Sequence, residues 1–287
     1  MTIGVVGVSM SGPIMAGATA VPALAIAFWR NGLGALAVAP FAFRVRHELT
    51  SLTRRQLGLC LLAGATLAAH FATWTTALRM TSVASATALV CLQAAWIVVI
   101  TRLLGESVVG RVWMGVGVAL AGVIVISGVD LSISAEALTG DALALAGGFF
   151  AAVYTISGGR VRETMSTSAY TAVAYSTSAL LLLIGCLVGR QQLVGYDAKS
   201  WGLIIGVTVA AQLLGHSVFN HLLATISPTI VSMVILLEVP GAALLAAVFL
   251  GQAPPVAVYF GLVLILAGLA LVVTSRTGEA PREAPID

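Results

Sequence analysis

The chain has 287 residues, of which 59% are hydrophobic and only 9% are charged, and its mean hydropathy is +1.05. Soluble domains carry about a quarter charged residues, so this composition excludes an ordinary soluble protein and indicates an integral membrane protein. The net charge of +3 comes from scattered arginines rather than from a basic run, which argues against a nucleic-acid partner.

The amino-terminal segment is apolar and has no positively charged residues before it, unlike a cleaved signal peptide. Residues 3–20 are therefore interpreted as the first membrane helix. A spanning helix needs about 20 apolar residues, because roughly 30 Å of hydrocarbon is crossed at about 1.5 Å per residue. Ten windows meet this criterion: 3–20, 22–43, 56–78, 82–103, 110–129, 140–159, 168–189, 200–222, 229–251 and 254–274.

Lysine and arginine predict the orientation of these helices, because such residues collect in cytoplasmic loops. With the amino terminus inside, ten of the fourteen lie in inner loops and the tail, three lie in outer loops, and Arg30 lies within a helix. The inner group is Arg44, Arg46, Arg54, Arg55, Arg102, Arg111, Arg160, Arg162, Arg276 and Arg282, and the outer group is Arg79, Arg190 and Lys199. Both termini are therefore predicted to be cytoplasmic.

The sequence repeats itself after 146 residues. The stretch that starts at His70 aligns without a gap on the stretch that starts at His216, and the same offset superimposes Leu104-Gly105 on Leu250-Gly251. Each repeat contains five helices, so the second must enter the membrane upside down, an arrangement that transporters use for alternating access. The predicted fold is an all-α membrane protein of ten helices in two inverted repeats.

These predictions divide the chain into four parts. The first repeat covers 1–129, an outer connecting loop covers 130–139, the second repeat covers 140–275, and 276–287 form a disordered cytoplasmic tail.

The segment "GHSVFNHLLATISPTIVSMVILLEVPGAALLAAVFLGQAPP" resembles the second repeat of EamA-type permeases of the drug/metabolite transporter superfamily. In that family a His and an Asn four residues apart precede Ser-Pro, Glu-Pro and Leu-Gly-Glu. The segments "FWRNGLGALAVAP" and His70 to Glu106 are similar to the first repeat. This chain departs from the pattern at Val239, which separates Glu238 from Pro240, at Gln93-Ala94, and at Gln252.

The resemblance implies a ten-helix secondary carrier of the inner (plasma) membrane that exports metabolites. The amino-acid exporters of the YddG-like branch are the nearest functional analogy. The substrate would be a small molecule, amino acids first, with lipid as the surrounding medium and no obligate protein partner.

A lone carboxylate, Glu238, lies about nine residues, or roughly 14 Å, into the ninth window. An ionised acid at that depth is costly unless it is paired, hydrated or protonated, so it indicates function. Glu238 could contact a substrate amine, titrate as a proton-coupling group, or pin a neighbouring helix. Pro240 and Pro228 are predicted hinges, because proline removes a helical hydrogen bond.

Arg30 is also predicted near the middle of the membrane, in the second window. It could pair with Glu238 or bind a substrate carboxylate through its guanidinium group. Alternatively, it snorkels or holds loop carbonyls together.

His70 and His216 occupy matching positions of the repeats, with His70 towards the outside and His216 towards the inside. Either could line the cavity, His216 could relay protons, or both could tie helices together as neutral imidazoles. Helical spacing places Trp74 on the face of His70 and Asn220 on the face of His216.

Gln93 and Trp96 are three residues apart on the fourth window and are predicted to line a cavity, with Gln93 bonding a polar group and Trp96 forming an apolar wall. Core packing of Trp96 is the alternative. Tyr154 and Tyr175 are further candidates for substrate contacts. No metal or cofactor site is predicted, since Cys60, Cys91 and Cys186 each lie alone in apolar segments.

No phosphate-binding GK[ST] loop, HExxH or GxSxG motif is present in the sequence, so ATP hydrolysis and common hydrolase chemistry have no visible residues. The sequence therefore favours a secondary or facilitative carrier that rocks its two repeats around a midplane cavity. Export of drugs or other amphipathic compounds is an alternative. A membrane-embedded enzyme with Glu238 and a histidine as its acid/base pair is an alternative of a different class.

Overall fold

The computed structural model describes residues 1–131 and 134–275. Every regular element within these ranges is helical. Residues 132–133 of the predicted connecting loop and the predicted disordered tail 276–287 lie outside the described residues. The predicted connecting loop 130–139 is shorter than expected, because one helix extends to Leu131 and the next begins at Ala135.

The ten predicted windows each overlap a helix or a pair of consecutive helices, labelled here α1–α10. Seven are long and apolar enough to cross a membrane: α2 (Ala23–Arg44), α3 (Arg54–Ala77), α4 (Val83–Leu103), α6 (Ala135–Val161), α7 (Thr167–Val188), α8 (Ala198–Leu222) and α9 (Pro228–Leu250). The other three, α1 (Thr2–Gly17), α5 (Gly110–Leu131) and α10 (Val256–Ser275), contain shorter apolar stretches. A short helix, Arg46–Thr50, joins α2 to α3.

Polar side chains start most of these helices. Each cap accepts a hydrogen bond from the backbone N–H three residues on, which satisfies a donor that has no intrahelical acceptor. The capping residues are Thr53, Ser82, Ser134, Ser166, Asp197 and Ser227. Two helices end at a glycine with positive φ, Gly105 after α4 (90°) and Gly251 after α9 (67°), as left-handed helix ends require. These two glycines are 146 residues apart.

Four helices are irregular halfway along their length. Helix α1 is interrupted at Met10, α4 at residues 91–92 and α9 at residues 236–237, and α8 contains a π-helical segment, Thr208–His216. The interruption of α9 follows from Pro240, which has no N–H to offer the carbonyl of Leu236. That carbonyl accepts a hydrogen bond from Val239 instead.

The same contacts between helices recur when each helix is replaced by the helix five positions away in the chain. Helix α3 packs along α6 as α1 packs along α8, and α4 contacts α6 as α1 contacts α9. Helices α2 and α7, α4 and α9, and α5 and α10 pack against each other. Glycines permit the closest approaches: a Cβ at Gly7 of α1 would lie 2.3 Å from the Ala210 carbonyl oxygen of α8, and one at Gly148 of α6 would lie 2.8 Å from the Val90 oxygen of α4.

Arg162, which was predicted in an inner loop, directly follows α6, and its side chain is fully buried. Its Nε donates to the carbonyl oxygen of Asn220 at 3.1 Å, and Nη1 donates to the carbonyl of Met165. Arg79, between α3 and α4, likewise donates to the carbonyl oxygens of Ala18 and Val21, at 2.7 and 3.0 Å. Arg79 therefore holds loop backbone together, and Arg162 ties the loop after α6 to helix α8.

Candidate functional site

A cavity lies where the irregular helices meet. It has about 630 Å³ of empty space between its lining atoms, including the part that is open to solvent. Six helices line it: α1, α3, α4, α6, α8 and α9. The lining combines apolar walls with a few polar groups, which is typical of small-molecule sites. The polar and ionisable lining residues are Ser11, His70, Trp74, Cys91, Gln93, Tyr154, Thr155, His216, Asn220 and Glu238.

Glu238 is the lining carboxylate. It is 6% exposed, and its oxygens accept no hydrogen bond from any part of the chain that the structure describes. It is the first residue of the second half of α9, after the interruption at 236–237. Backbone N–H groups and the helix dipole favour negative charge at such a helix start. The broken helix therefore stabilises an acid that remains available to a ligand.

His70 and Trp74 form one wall. Their rings stack at 5.8 Å with an interplanar angle of 14°. Nδ1 of His70 lies 3.1 Å from the carbonyl oxygen of Gly147, which can only accept, so we assign the Nδ1–H tautomer and leave Nε2 as an acceptor. The indole N–H of Trp74 is buried and has no acceptor among the described residues.

His216 faces His70 from α8, with 6.3 Å between the ring centroids. Phe71 packs edge-on against His216 at 5.4 Å. The two histidines, predicted towards opposite sides of the membrane, are therefore brought to the same cavity near the centre of the bundle. No group of three or more potential metal ligands occurs among the described residues.

A chain of hydrogen bonds runs from the cavity into the protein. The Tyr154 hydroxyl donates to Asn220 Oδ1 at 2.8 Å, and Asn220 Nδ2 donates to the Tyr175 hydroxyl at 3.3 Å. The Tyr175 hydroxyl lies 3.1 Å from Ser217 Oγ, which donates to the carbonyl of Gln212 at 3.2 Å. Since each group in this order can donate to the next, the chain fixes the orientation of the Asn220 amide.

Arg30 lies behind the cavity wall and is fully buried. Its Nε donates to Gln212 Oε1 and its Nη1 to Ser11 Oγ, both at 2.9 Å. Its guanidinium carbon lies 4.1 Å from the centre of the Phe71 ring. The predicted pair with Glu238 is not a direct hydrogen bond, and the two groups interact electrostatically at longer range.

The predicted site residues fall into two groups. The structure places seven of them on the cavity: His70, Trp74, Gln93, Tyr154, His216, Asn220 and Glu238. The remaining five lie outside its lining: Arg30, Trp96, Tyr175, Pro228 and Pro240.

The residues outside the lining have other surroundings. Trp96 packs edge-on against the exposed side chain of Phe149, at 5.5 Å. Pro228 begins α9 and does not interrupt it. Pro240 lies beside the interruption, and Tyr175 supports Asn220 from behind.

Sequence reasoning missed Gln212 and Ser11, which hold Arg30. Gln212 is fully buried in the π-helical segment of α8. A glutamine in the apolar run "GLIIGVTVAAQLLGH" was a usable signal, because polar side chains within a membrane helix require partners. Ser11 gave no such signal, because serine is common in apolar membrane helices and satisfies its hydroxyl on its own backbone.

Comparisons with known proteins agree with this architecture. A family profile described as the EamA-like transporter family matches residues 1–128 and 138–274. Among 28 matching chains of solved structures, one described only as "Crystal structure of protein" superimposes with a TM-score of 0.70 at 18% identity. That match covers 97% of this chain and 99% of the other. At this identity the likeness shows the fold alone. No curated protein matches the chain.

Proposed function

Because the chain belongs to the EamA-like transporter family, and is therefore a multi-pass membrane protein that handles a small molecule, we propose that it is a secondary or facilitative carrier that exports amino acids. The observation that carries this proposal is Glu238: a carboxylate without a hydrogen-bond partner, at a helix start, facing a cavity in the centre of the bundle. An ammonium group is the complement of such an acid. His70 Nε2 offers a second acceptor on the same cavity.

The remaining lining suits the rest of an amino acid. The rings of Trp74, His70 and Phe219 give apolar surface for a side chain, and Gln93 can bond a polar end. Arg30, reached through Ser11, supplies positive charge for the carboxylate. Trp96 and Tyr175 act from behind the lining, by packing and by holding Asn220.

For the mechanism, we propose two inverted five-helix repeats, 1–129 and 140–275, in the plasma membrane with both termini cytoplasmic. Two pairs of equivalent contacts support the internal symmetry. The contact of α1 with α8 corresponds to that of α6 with α3, and the contact of α1 with α9 corresponds to that of α6 with α4. The interruption beside Pro240 is the hinge of α9. Pro228 begins that helix and does not act as a hinge.

The sequence predicts that the two repeats move as rigid bodies, but the contacts between helices favour a different pair of moving bodies. Helix α6 packs on α3 and α4, and α1 packs on α8 and α9, so we group α3, α4 and α6 as one bundle and α1, α8 and α9 as the other, each of which mixes the two repeats. The backbone approaches at Gly7 and Gly148 lie within the bundles, whereas the side chains of Phe71 and His216 meet between them. Rocking of these two bundles, rather than of the two repeats, would open the cavity.

A counterflow screen tests the carrier. Purified protein in liposomes loaded with one unlabelled compound would be assayed for uptake of the same labelled compound, across amino acids, sugars, nucleosides and amphipathic drugs. We expect saturable counterflow of amino acids with an apolar side chain. Counterflow of drugs only would replace amino acids by the amphipathic alternative. A chemically altered product without counterflow would support an enzyme.

The enzyme alternative has less structural support. An acid/base pair requires Glu238 and a histidine within hydrogen-bond reach, directly or through one water. In the described structure His70 uses Nδ1 for the Gly147 carbonyl, and neither His70 nor His216 hydrogen-bonds to Glu238. The carrier therefore accounts for more of the observed contacts.

Replacement of the acid separates its two roles. We expect Glu238→Gln to lower amino-acid counterflow at least tenfold, because a neutral amide cannot pair with an ammonium group. If Glu238 or His216 also carries protons, the variants Glu238→Gln and His216→Gln would lose the pH dependence of net transport. Glu136→Gln, on the exposed first turn of α6, is the matched control. Unchanged rate and pH profile in Glu238→Gln would refute both roles.

A further inference from the structure

We propose that Gln212 is a specificity-determining residue, which holds Arg30 beside the cavity through a neutral acceptor, so that the guanidinium group has no carboxylate hydrogen-bonded to it and can bind that of a substrate. The inference rests on the proposed carrier function and adds a reason for its preference for zwitterions. Gln212 does not touch the substrate in this arrangement. It acts through the guanidinium group that it positions.

The first step is the burial of Arg30 among neutral groups. Its side chain has no exposed surface, and its hydrogen bonds go to Gln212 Oε1, Ser11 Oγ and, at 3.8 Å, the sulfur of Met15. The aromatic face of Phe71 covers the carbon at the centre of the guanidinium. A buried cation is normally paired with a carboxylate, because burial removes its hydration. In the described chain, no carboxylate hydrogen-bonds to Arg30.

The second step is the spare hydrogen-bonding capacity of that guanidinium. Nη2 of Arg30 is buried and has no acceptor among the described residues. The neighbouring nitrogen, Nη1, is bonded to Ser11, and Ser11 is itself part of the cavity lining. An acidic group that displaces the Ser11 hydroxyl from Nη1 would therefore meet a guanidinium whose neighbouring Nη2 still has no acceptor. Guanidinium and carboxylate groups pair through two parallel hydrogen bonds.

The third step is the precision with which Gln212 is placed. The backbone carbonyl of Gln212 accepts a hydrogen bond from the Ser217 N–H, in the π-helical pattern, and a second one from the Ser217 hydroxyl, at 3.2 Å. Its amide nitrogen donates to Asn31 Oδ1 at 3.3 Å. On α2, a Cβ at Gly34 would lie 2.9 Å from Cγ of Gln212, so the glycine makes room for this side chain. The surroundings orient a neutral acceptor at a position where glutamate would have the same shape.

Gln212→Glu is therefore the informative substitution. The carboxylate would neutralise Arg30 from within the protein, so a substrate carboxylate would lose its partner. We expect the KM for counterflow of leucine to rise at least tenfold, and that of 3-methylbutylamine, which lacks only the carboxyl group, to change less than threefold. Gln192→Glu, on an exposed loop, is the matched control and should change neither KM. An equal change for both compounds, or no change for either, would overturn the inference.

A measurement without substrate decides the same question independently. Gln212→Glu replaces the amide donor to Asn31 Oδ1, but if Arg30 lacks a carboxylate partner, the Tm of the purified protein should be several degrees higher, relative to its parent, than for the same substitution without Arg30. In an Arg30→Met background, the same substitution should lower the Tm, because the new carboxylate is then unpaired. In the counterflow assay, Gln212→Met, which removes the acceptor that positions Arg30, should raise the KM of leucine more than that of 3-methylbutylamine.

The two arms separate the failure of the inference from the failure of the proposed function. A wild-type protein without counterflow of any amino acid would refute the carrier of amino acids, and the background-dependent change in Tm would still decide the relation between Gln212 and Arg30. The same Tm shift in both backgrounds would overturn that relation.

Discussion

At the scale of single residues, the cavity is defined by polar groups that the protein itself does not satisfy. Most buried donors and acceptors in proteins are hydrogen-bonded, so an exception requires an explanation. Among the described residues in or directly behind the cavity lining, such groups include the carboxylate of Glu238, Nη2 of Arg30 and the indole N–H of Trp74. A ligand that carries an ammonium group and a carboxylate would satisfy an acid and two donors together.

The indole of Trp74 gives a prediction at this scale. In Trp74→Phe the ring still stacks on His70, and the unpartnered N–H is removed. We expect the free energy of unfolding to change by less than about 1 kcal/mol, since the lost packing is offset by removal of an unsatisfied donor. If the N–H bonds to substrate, KM should rise roughly fivefold, the equivalent of about 1 kcal/mol.

Chemical unfolding and counterflow, measured on the same preparation, would check this prediction. Trp113→Phe provides the control, because Trp113 lies on α5 and is 39% exposed. A large loss of stability with unchanged KM would instead make Trp74 a packing residue.

The candidate site was predictable to the extent that its residues are conspicuous. Glutamate and histidine are rare in apolar windows, so Glu238, His70 and His216 stand out in the sequence. Helical spacing then predicts that Trp74 and Asn220 share their faces. Where a helix is apolar on every side, its sequence does not predict which side chains face the cavity. Trp96 therefore points to Phe149, away from the cavity, although it lies three residues from Gln93.

At the scale of helices, the ten apolar windows gave the positions of the helices within a few residues, because hydrophobic length is set by the bilayer. Their interruptions were less predictable. Pro240 explains the one in α9, but α4 breaks at residues 91–92 with no proline nearby. There the backbone of Gly148 approaches the carbonyls of Leu89 and Val90, a tertiary contact that no local pattern encodes.

The interruption of α9 can be tested by restoring its hydrogen bond. In Pro240→Ala, the new N–H can donate to the carbonyl of Leu236. We expect the free energy of unfolding to rise by about 1 kcal/mol, the net value of one hydrogen bond. Because a continuous helix would no longer place backbone N–H groups at Glu238, we expect transport to slow at least tenfold.

Pro228→Ala is the control for that experiment, measured by the same counterflow and unfolding assays. Pro228 occupies the first turn of α9, where a missing N–H removes no intrahelical hydrogen bond. Stability within about 0.5 kcal/mol of wild type is expected. Transport unchanged in Pro240→Ala would mean that the break is not a hinge.

At the scale of the whole molecule, the two halves of the sequence and the two packed bundles do not coincide. The proposed duplication rests on the 146-residue offset in the sequence, which does not indicate the packing partners. Helix α1 belongs to the first repeat and lies against α8 and α9 of the second, and α6 makes the reciprocal contacts with α3 and α4. The description of the moving bodies therefore depends on tertiary contacts.

Disulfides between matched Gly/Val positions distinguish the two kinds of motion. In a disulfide, the Cβ of one residue lies about 3 Å from the sulfur of the other. A Cβ at Gly12 of α1 would lie 3.1 Å from Val83 Cγ1 of α4, which is in the same repeat but the other bundle. A Cβ at Gly215 of α8 would lie 2.8 Å from Val8 Cγ1 of α1, in the other repeat but the same bundle.

Each pair would be replaced by cysteines in a background with Cys60, Cys91 and Cys186 changed to alanine. If the bundles move, oxidation of Gly12→Cys/Val83→Cys should abolish counterflow, and a reducing agent should restore it. Oxidation of Val8→Cys/Gly215→Cys should leave most counterflow intact, since the two helices move together. The opposite pattern would show that the sequence repeats are the rigid bodies. Counterflow that survives both cross-links would mean that the cavity opens without relative motion of either kind.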